Sequence, residues 1–333
     1  MNTDLDDNKT VLRVNNLKQY FKRGRSINKA VDGISFDIKK GEVFGLVGES
    51  GCGKTTTGRA VIGLYKATGG DVYLHDRRII ASPQDYTDSV DIEKARSDNK
   101  LSFQQKSTTA IQMIFQDPIS SLNPRMNVFD IIAEGLIIRG IKDRDLLKQK
   151  VFQTLELVGL LQEHASRYPH EFSGGQRQRI GIARAIILEP EVLIADEPVS
   201  ALDVSIQAQV INLMNDLRKK VGLTILFIAH NLSVVKYFSD RIAVMYMGKI
   251  VEQARTEQLF AKPCHPYTRA LISAIPYPDP LLENQRQRIV YNPLLEHNYA
   301  VDKPYMRELE KDKGHYVYCN DIEYAKIDVS FNK

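Results

Sequence analysis

The chain's 333 residues are 43% hydrophobic and carry 45 basic against 41 acidic side chains, a formal net charge of +4. That length allows one large or two ordinary domains with a real core, and so balanced a charge argues against a nucleic-acid partner. No apolar run approaches the roughly 18 residues of a membrane span; Met1–Asp7 is acidic and polar, unlike a secretory signal. Three cysteines argue for a reducing compartment without a disulfide framework, so a cytosolic location is expected.

Between Leu12 and Ile38 apolar and polar residues alternate, which predicts antiparallel strands. Glu42–Val47 reads as a short, mostly buried strand, and a helix is expected from Thr55 to Leu64. Between them Gly48-Glu49-Ser50-Gly51-Cys52-Gly53-Lys54-Thr55 fits the complete phosphate-loop pattern, in the strand–loop–helix context that pattern requires. Its glycines let backbone N–H groups turn inward around phosphate oxygens. The helix N-terminus adds partial positive charge at the same spot. Lys54 is expected to reach the β- and γ-phosphates and the Thr55 hydroxyl to ligate Mg²⁺, with Thr56 beside them.

From about Asp76 to Thr109 the chain is rich in charge and poor in apolar periodicity. Loops longer than about 12–15 residues are uncommon unless functional or disordered, so this stretch is expected to be a mobile surface insertion. Ile114-Phe115 then ends an apolar run at Gln116, which alone would mean nothing. Val128–Arg139 and Arg144–Leu161 show helix spacing, and a further helix is expected over Gly175–Leu188. In front of it stands Ser173-Gly174-Gly175-Gln176, a second Gly-rich anion-binding element. One ATP does not need two such elements from one chain. This one is expected to bind the ATP held by another copy or a partner.

Val192–Ala195 is a buried parallel-strand pattern ending at Asp196-Glu197, and open α/β sheets place ligands at that strand edge. Asp196 is expected to hold Mg²⁺, and Glu197 to orient or deprotonate the attacking water. A polar turn, Ser200–Asp203, leads into an amphipathic helix over Ser205–Lys220. Another buried strand, Leu223–Ala229, ends at His230. A histidine at a strand end is by default a capping residue; following the Asp196 strand, this one is better read as a γ-phosphate contact. Gly248–Glu252 is a hairpin strand. From Lys262 the chain turns Pro- and Tyr-rich, and His265-Pro266 has the look of a Pro-initiated helix cap.

In this order the phosphate loop, Gln116, Phe172–Gln176, Asp196-Glu197, Ser200–Asp203 and His230 closely resemble the ATPase subunit of ATP-binding-cassette (ABC) transporters. The resemblance covers most of Leu12 to Glu252, with Phe172 where Leu is commoner. It implies an α/β P-loop NTPase: an ABC cassette with a RecA-like core, an antiparallel β subdomain and a helical subdomain at about 118–185. It also implies ATP and Mg²⁺ between two head-to-tail subunits, with Ser173, Gly174, Gly175 and Gln176 serving the opposite site and Asp203 among the nucleotide-binding residues. Glu197, His230 and Gln116 form the catalytic set, and Gln116 also contacts Mg²⁺ with Thr55 and Asp196. An upstream aromatic should stack on adenine, Tyr20 first and Phe21 as the alternative.

His265–Leu271 with Ala274–Pro280, and Gln116–Pro118 with Ser120–Arg125, resemble the oligopeptide/dipeptide importer ATPases, and Lys313–Val317 looks like the end of the second of that importer's two ATPase subunits. The implied organisation is a cassette over 1–262 and an extension over 263–333. The implied role is to power oligopeptide import from the cytoplasmic face of the cell membrane. Implied partners are two membrane-spanning permease subunits, a second ATPase subunit (similar but non-identical, a homodimer being the alternative) and, indirectly, an extracytoplasmic peptide-binding protein. Dipeptides, nickel or another small solute are the alternative cargo. A soluble ABC ATPase of DNA repair or translation is the competing class, but no zinc-spaced Cys pairs or long heptads occur. Only Cys319 follows Cys264, too few for the four-Cys iron–sulfur site of many relatives, so no cluster is expected.

Overall fold

The computed structural model describes residues 9–81, 108–117, 120–276, 288–299 and 302–330. The alternating N-terminal segment forms β1 (Thr10–Arg23) and β2 (Ser26–Lys39), paired antiparallel with Leu12 opposite Ile38. With β4 (Gly69–Leu74) and β5 (Arg77–Ala81) they build a four-stranded sheet in the order β2-β1-β4-β5. The expected insertion from Asp76 is corrected here. Arg77–Ala81 is a strand of this sheet, and burial of Ile79 and Ile80 outweighs the charges of Arg77 and Arg78 that hid it. The insertion's remainder over 82–107 lies outside the described residues.

A second sheet has eight strands in the order β11-β12-β10-β9-β3-β8-β7-β6. Its parallel part joins β9 (Arg241–Tyr246), β3 (Val43–Val47), β8 (Thr224–Ala229), β7 (Val192–Asp196) and β6 (Ile111–Ile114). Every residue of β3, β7 and β8 is buried, as expected for parallel strands covered on both faces. Successive side chains enter different cores. Phe44 and Leu46 pack with the antiparallel sheet, whereas Val43 and Val47 pack with the helical side.

On the Phe44 face α1 (Lys54–Val61) lies against β7 and β8. The other face carries α5 (Val204–Val221) and α6 (Leu232–Phe238). A helical group adjoins it: α2 (Val128–Ile138), α3 (Arg144–Leu157) and α4 (Gly174–Ile186). Asn127 and Asp143 cap α2 and α3 by accepting backbone N–H groups. α3 stops at Leu157, short of the expected Leu161, because Gly159 follows in the left-handed region at φ 71°.

The C-terminal extension joins the same body. β10 (Lys249–Arg255) pairs with β9, and β12 (Asp312–Cys319) pairs with β10, Glu252 opposite Val317. β11 (Tyr305–Leu309) closes that edge. Between the strands run α7 (Thr256–Ala261) and α8 (Pro266–Ser273), and α9 (Asp321–Ser330) ends the fold. The sheet therefore runs through the boundary expected near residue 262. Among the described residues no helix is long and apolar enough to cross a membrane.

Candidate active site

Strand β3 ends at Val47, and from Gly48 the chain wraps into a loop before α1 begins at Lys54. Gly53 makes that entry at φ 112°, which side chains rarely adopt. A Cβ there would also stand 2.1 Å from the Ala30 carbonyl oxygen. The loop opens on a cleft of about 470 Å³. Ser50, Gly51, Gly53, Lys54, Thr55 and Thr56 line it from the loop side, and Gln116, Glu197 and His230 from across the cleft. Residues separated by up to 180 positions thus converge, because β3, β6, β7 and β8 all end at the same sheet edge.

Lys54 is almost wholly buried, and its ammonium is satisfied by the Gly48 and Glu49 carbonyls at 2.8 and 2.9 Å. Thr55 donates to Asp196 Oδ1 at 2.8 Å. Asp196 is fully buried, and its Oδ2 has no hydrogen-bond partner. Burial pushes its carboxyl above the ordinary carboxylate range, against the Thr55 hydrogen bond and the Arg59 charge. A buried carboxylate without a cation is costly, so the pair Thr55–Asp196 fits a divalent ion at the bottom of a polyphosphate site.

Glu197 is the hub of the upper wall. It sits just past β7 in the left-handed region at φ 46°, held by its N–H bond to the Ile228 carbonyl at 2.9 Å. Its Oε2 accepts from Gln116 Nε2 at 2.9 Å and lies 3.1 Å from His230 Nδ1. His230 is half-exposed, so it is no buried capping residue. A carboxylate placed this way can take a proton from a water in the cleft.

One sequence expectation places differently. Tyr20 does not line the cleft: its hydroxyl donates to Asp32, and Lys29 Nζ lies 5.5 Å from its ring centre. Burial and then Asp32 push its phenol up to about 12. Strand alternation turns the next residue the other way, so Phe21 forms the cleft wall with Asn28 and Ala30, its ring edge-on to Tyr65 at 5.4 Å. The Ser173–Gln176 element and Asp203 also lie off this cleft. Ser173 caps α4 by accepting the Gln176 N–H at 3.4 Å while the Gln176 side chain returns to the Ser173 N–H at 3.0 Å. Ser173 and Gly174 are exposed, as is Asp203 at the start of α5.

One contact carried no sequence signal: Tyr267, in the extension, accepts the Glu49 N–H at 3.0 Å. The extension is anchored by a buried cluster in which His315 lies 2.7 Å from Glu252 and 2.8 Å from Asp312, with Cys264 beside them. Spacing along the chain could not reveal either, since strand pairing brings the partners together.

A family model described as ABC transporter matches residues 31–200. A second, described as the C-terminal region of oligopeptide/dipeptide transporters, matches 251–306. The oligopeptide transport ATP-binding protein OppF of Bacillus subtilis is 54% identical over 315 residues, covering 94% of this chain and 97% of that protein. AmiF of Streptococcus pneumoniae, also an oligopeptide transport ATP-binding protein, is 50% identical, covering 97% of this chain and 99% of its own length. The dipeptide transport ATP-binding protein DppF of Lactococcus lactis is 48% identical, with coverages of 95% and 96%. Among solved structures, CbiO1 of Clostridium perfringens, part of an ABC transporter complex, superimposes with a TM-score of 0.61 at 26% identity, covering 76% of this chain and 92% of that one. The MJ0796 cassette, a dimer bound to ADP and phosphate, gives 0.59 at 26% identity with coverages of 74% and 98%. With its phosphate loop, its Gln116–Glu197–His230 hub and these relatives along 94% or more of its length, the chain belongs to the ATP-binding subunits of ABC transporters.

Proposed function

We propose that this chain hydrolyses ATP to power the import of oligopeptides, working at the cytoplasmic face of the cell membrane against two membrane-spanning permease subunits. The observation that carries the chemistry is the Glu197 carboxylate held between Gln116 and His230 over the phosphate loop. The cargo reading rests on the OppF and AmiF relatives and on the transporter-type C-terminal region. Dipeptide cargo is the second reading, favoured by the Lactococcus relative.

In this reading the loop amides and the start of α1 bind the phosphates, and Lys54 exchanges its loop carbonyls for β- and γ-phosphate oxygens. Thr55, Asp196 and Gln116 would hold Mg²⁺, which when bound neutralises charge on the β- and γ-oxygens. Phe21 offers its ring to the adenine. Glu197 takes a proton from water as the water oxygen bonds to the γ-phosphorus and the bond to the β–γ bridging oxygen breaks, leaving ADP and phosphate. His230 steadies Glu197 and the departing phosphate. Ser173–Gln176 and Asp203, away from this cleft and with Ser173, Gly174 and Asp203 exposed, serve the nucleotide of a second cassette packed head to tail. That cassette is similar but non-identical, in keeping with the Lys313–Val317 ending.

The test is to draw the subunit from detergent-solubilised native membranes and identify what accompanies it. Two membrane-spanning subunits, a second cassette and a peptide-binding protein are the expected company. Ribosomes or DNA-repair proteins without membrane subunits would overturn the transport reading. Recovery of a single type of cassette would overturn the unlike pair.

A further inference from the structure

Tyr267 is among the largest fully buried side chains, packed between Tyr246 and Tyr291 with ring centres 4.4 and 5.4 Å away. Burial drives its phenol far above the ordinary tyrosine value, so the hydroxyl is neutral. Outside the extension it makes a polar contact to the phosphate loop: the hydroxyl accepts the Glu49 N–H at 3.0 Å. That N–H belongs to the peptide unit whose carbonyl, Gly48 O, accepts the Lys54 ammonium at 2.8 Å. A peptide unit is planar and stiff, so a tilt at one edge moves the other. Of the loop's own residues, those that line the cleft begin at Ser50. Tyr267 therefore grips the loop from behind and leaves the phosphate-facing amides free.

The seat of Tyr267 is itself well defined. Glu252 of β10 accepts the N–H groups of Cys264 and His265 at 2.7 and 2.9 Å, fixing the chain just before α8. The His265 ring then caps α8 by accepting the N–H of Tyr267 at 3.1 Å. Burial lowers His265 to about 3, so this ring is neutral and can accept. Against Glu252 from the other side stands His315 of β12. Burial alone would depress its imidazolium, but bonds to Cys264, Glu252 and Asp312 outweigh that and push it up to about 10. The strand nearest the end of the fold is thus tied to the residue that touches the phosphate loop.

We propose that Tyr267 is a positioning residue for the nucleotide site, through which the C-terminal extension sets the Gly48–Glu49 peptide plane and with it Lys54. The proposal rests on the reading of Gly48–Thr56 as the ATP cradle.

The test titrates the full-length chain and its Tyr267→Phe variant with MgATP and with AMP, which lacks the β- and γ-phosphates that Lys54 reaches. Removing one hydrogen bond should weaken MgATP binding about two- to tenfold and leave AMP binding unchanged. A Tyr246→Phe variant shares the aromatic cluster but not the loop contact, and should bind both ligands as the parent does. Equal MgATP affinity in Tyr267→Phe and parent would overturn the proposal. So would a parallel loss for both ligands, which marks a merely structural role. A parent chain that binds no MgATP would instead overturn the ATP reading itself. Should Tyr267→Phe prove too unstable to titrate, amide exchange in the parent decides: a protected Glu49 N–H is expected, and one exchanging as fast as an open loop overturns the contact.

Discussion

The phosphate loop and the Ser173–Gln176 element use the same physics and end up as unequal sites. Both set glycines and a helix N-terminus where an anion would meet backbone N–H groups. Behind the first lie a buried lysine, a buried carboxylate with an unpartnered oxygen, and a cleft lined on its far side by Gln116, Glu197 and His230. The second lies on the surface, its serine and glutamine spent on capping each other's backbone. One holds charge of both signs and can host a complete ligand; the other supplies only dipoles and a hydroxyl. On the proposed head-to-tail reading, that element acts only when a second cassette brings its nucleotide to it.

Four substitutions sharpen or break that contrast. Replacing the carboxylate in Glu197→Gln should cost about 10²–10⁴-fold in ATP hydrolysis and leave MgATP binding intact, since Lys54, Thr55 and Asp196 are untouched; a phosphate-release assay beside an equilibrium titration checks both. Normal turnover in that variant would remove Glu197 from the role of base.

Next in size is Phe21→Ala. Base–aromatic stacking is worth about 1–3 kcal/mol, so MgATP affinity should fall by roughly that amount, while Tyr20→Phe, which loses only the bond to Asp32, should bind as the parent does. The reverse outcome in a calorimetric titration would restore Tyr20 to the site.

Ser173→Asp separates the two helix N-termini most directly. Aspartate caps a helix as well as serine does, so the melting temperature should hold and the lone chain should bind MgATP unchanged. In the assembled pair the new carboxylate would face phosphate, and hydrolysis should fall steeply at the partner's site. Weaker MgATP binding by the lone chain would mean that the element serves its own site after all.

Much of this site was legible in the linear chain because its parts are local. Gly48–Thr55 is one loop between one strand and one helix, and Asp196-Glu197 follows one buried strand. The hydrophobic periods of 2 and 3.6 also placed most elements within a few residues, since burial of one face or both is what those patterns record. β5 escaped because five residues with two arginines carry too little period to stand out from a charged stretch. Tyr20 and Phe21 could not be told apart, since neighbours on a strand point oppositely and only the pairing of β1 with β2 says which faces the cleft.

By itself, then, the sequence determined the nucleotide chemistry, the class of fold and the order of its parts, because each rests on residues near one another in the chain. Tertiary structure alone decided that Glu197 sits between Gln116 and His230, that Phe21 walls the cleft, and that the extension continues the catalytic sheet and reaches Glu49 through Tyr267. Those contacts join residues from about 30 to more than 200 positions apart. Their energies come from strand register and packing, which no local pattern encodes.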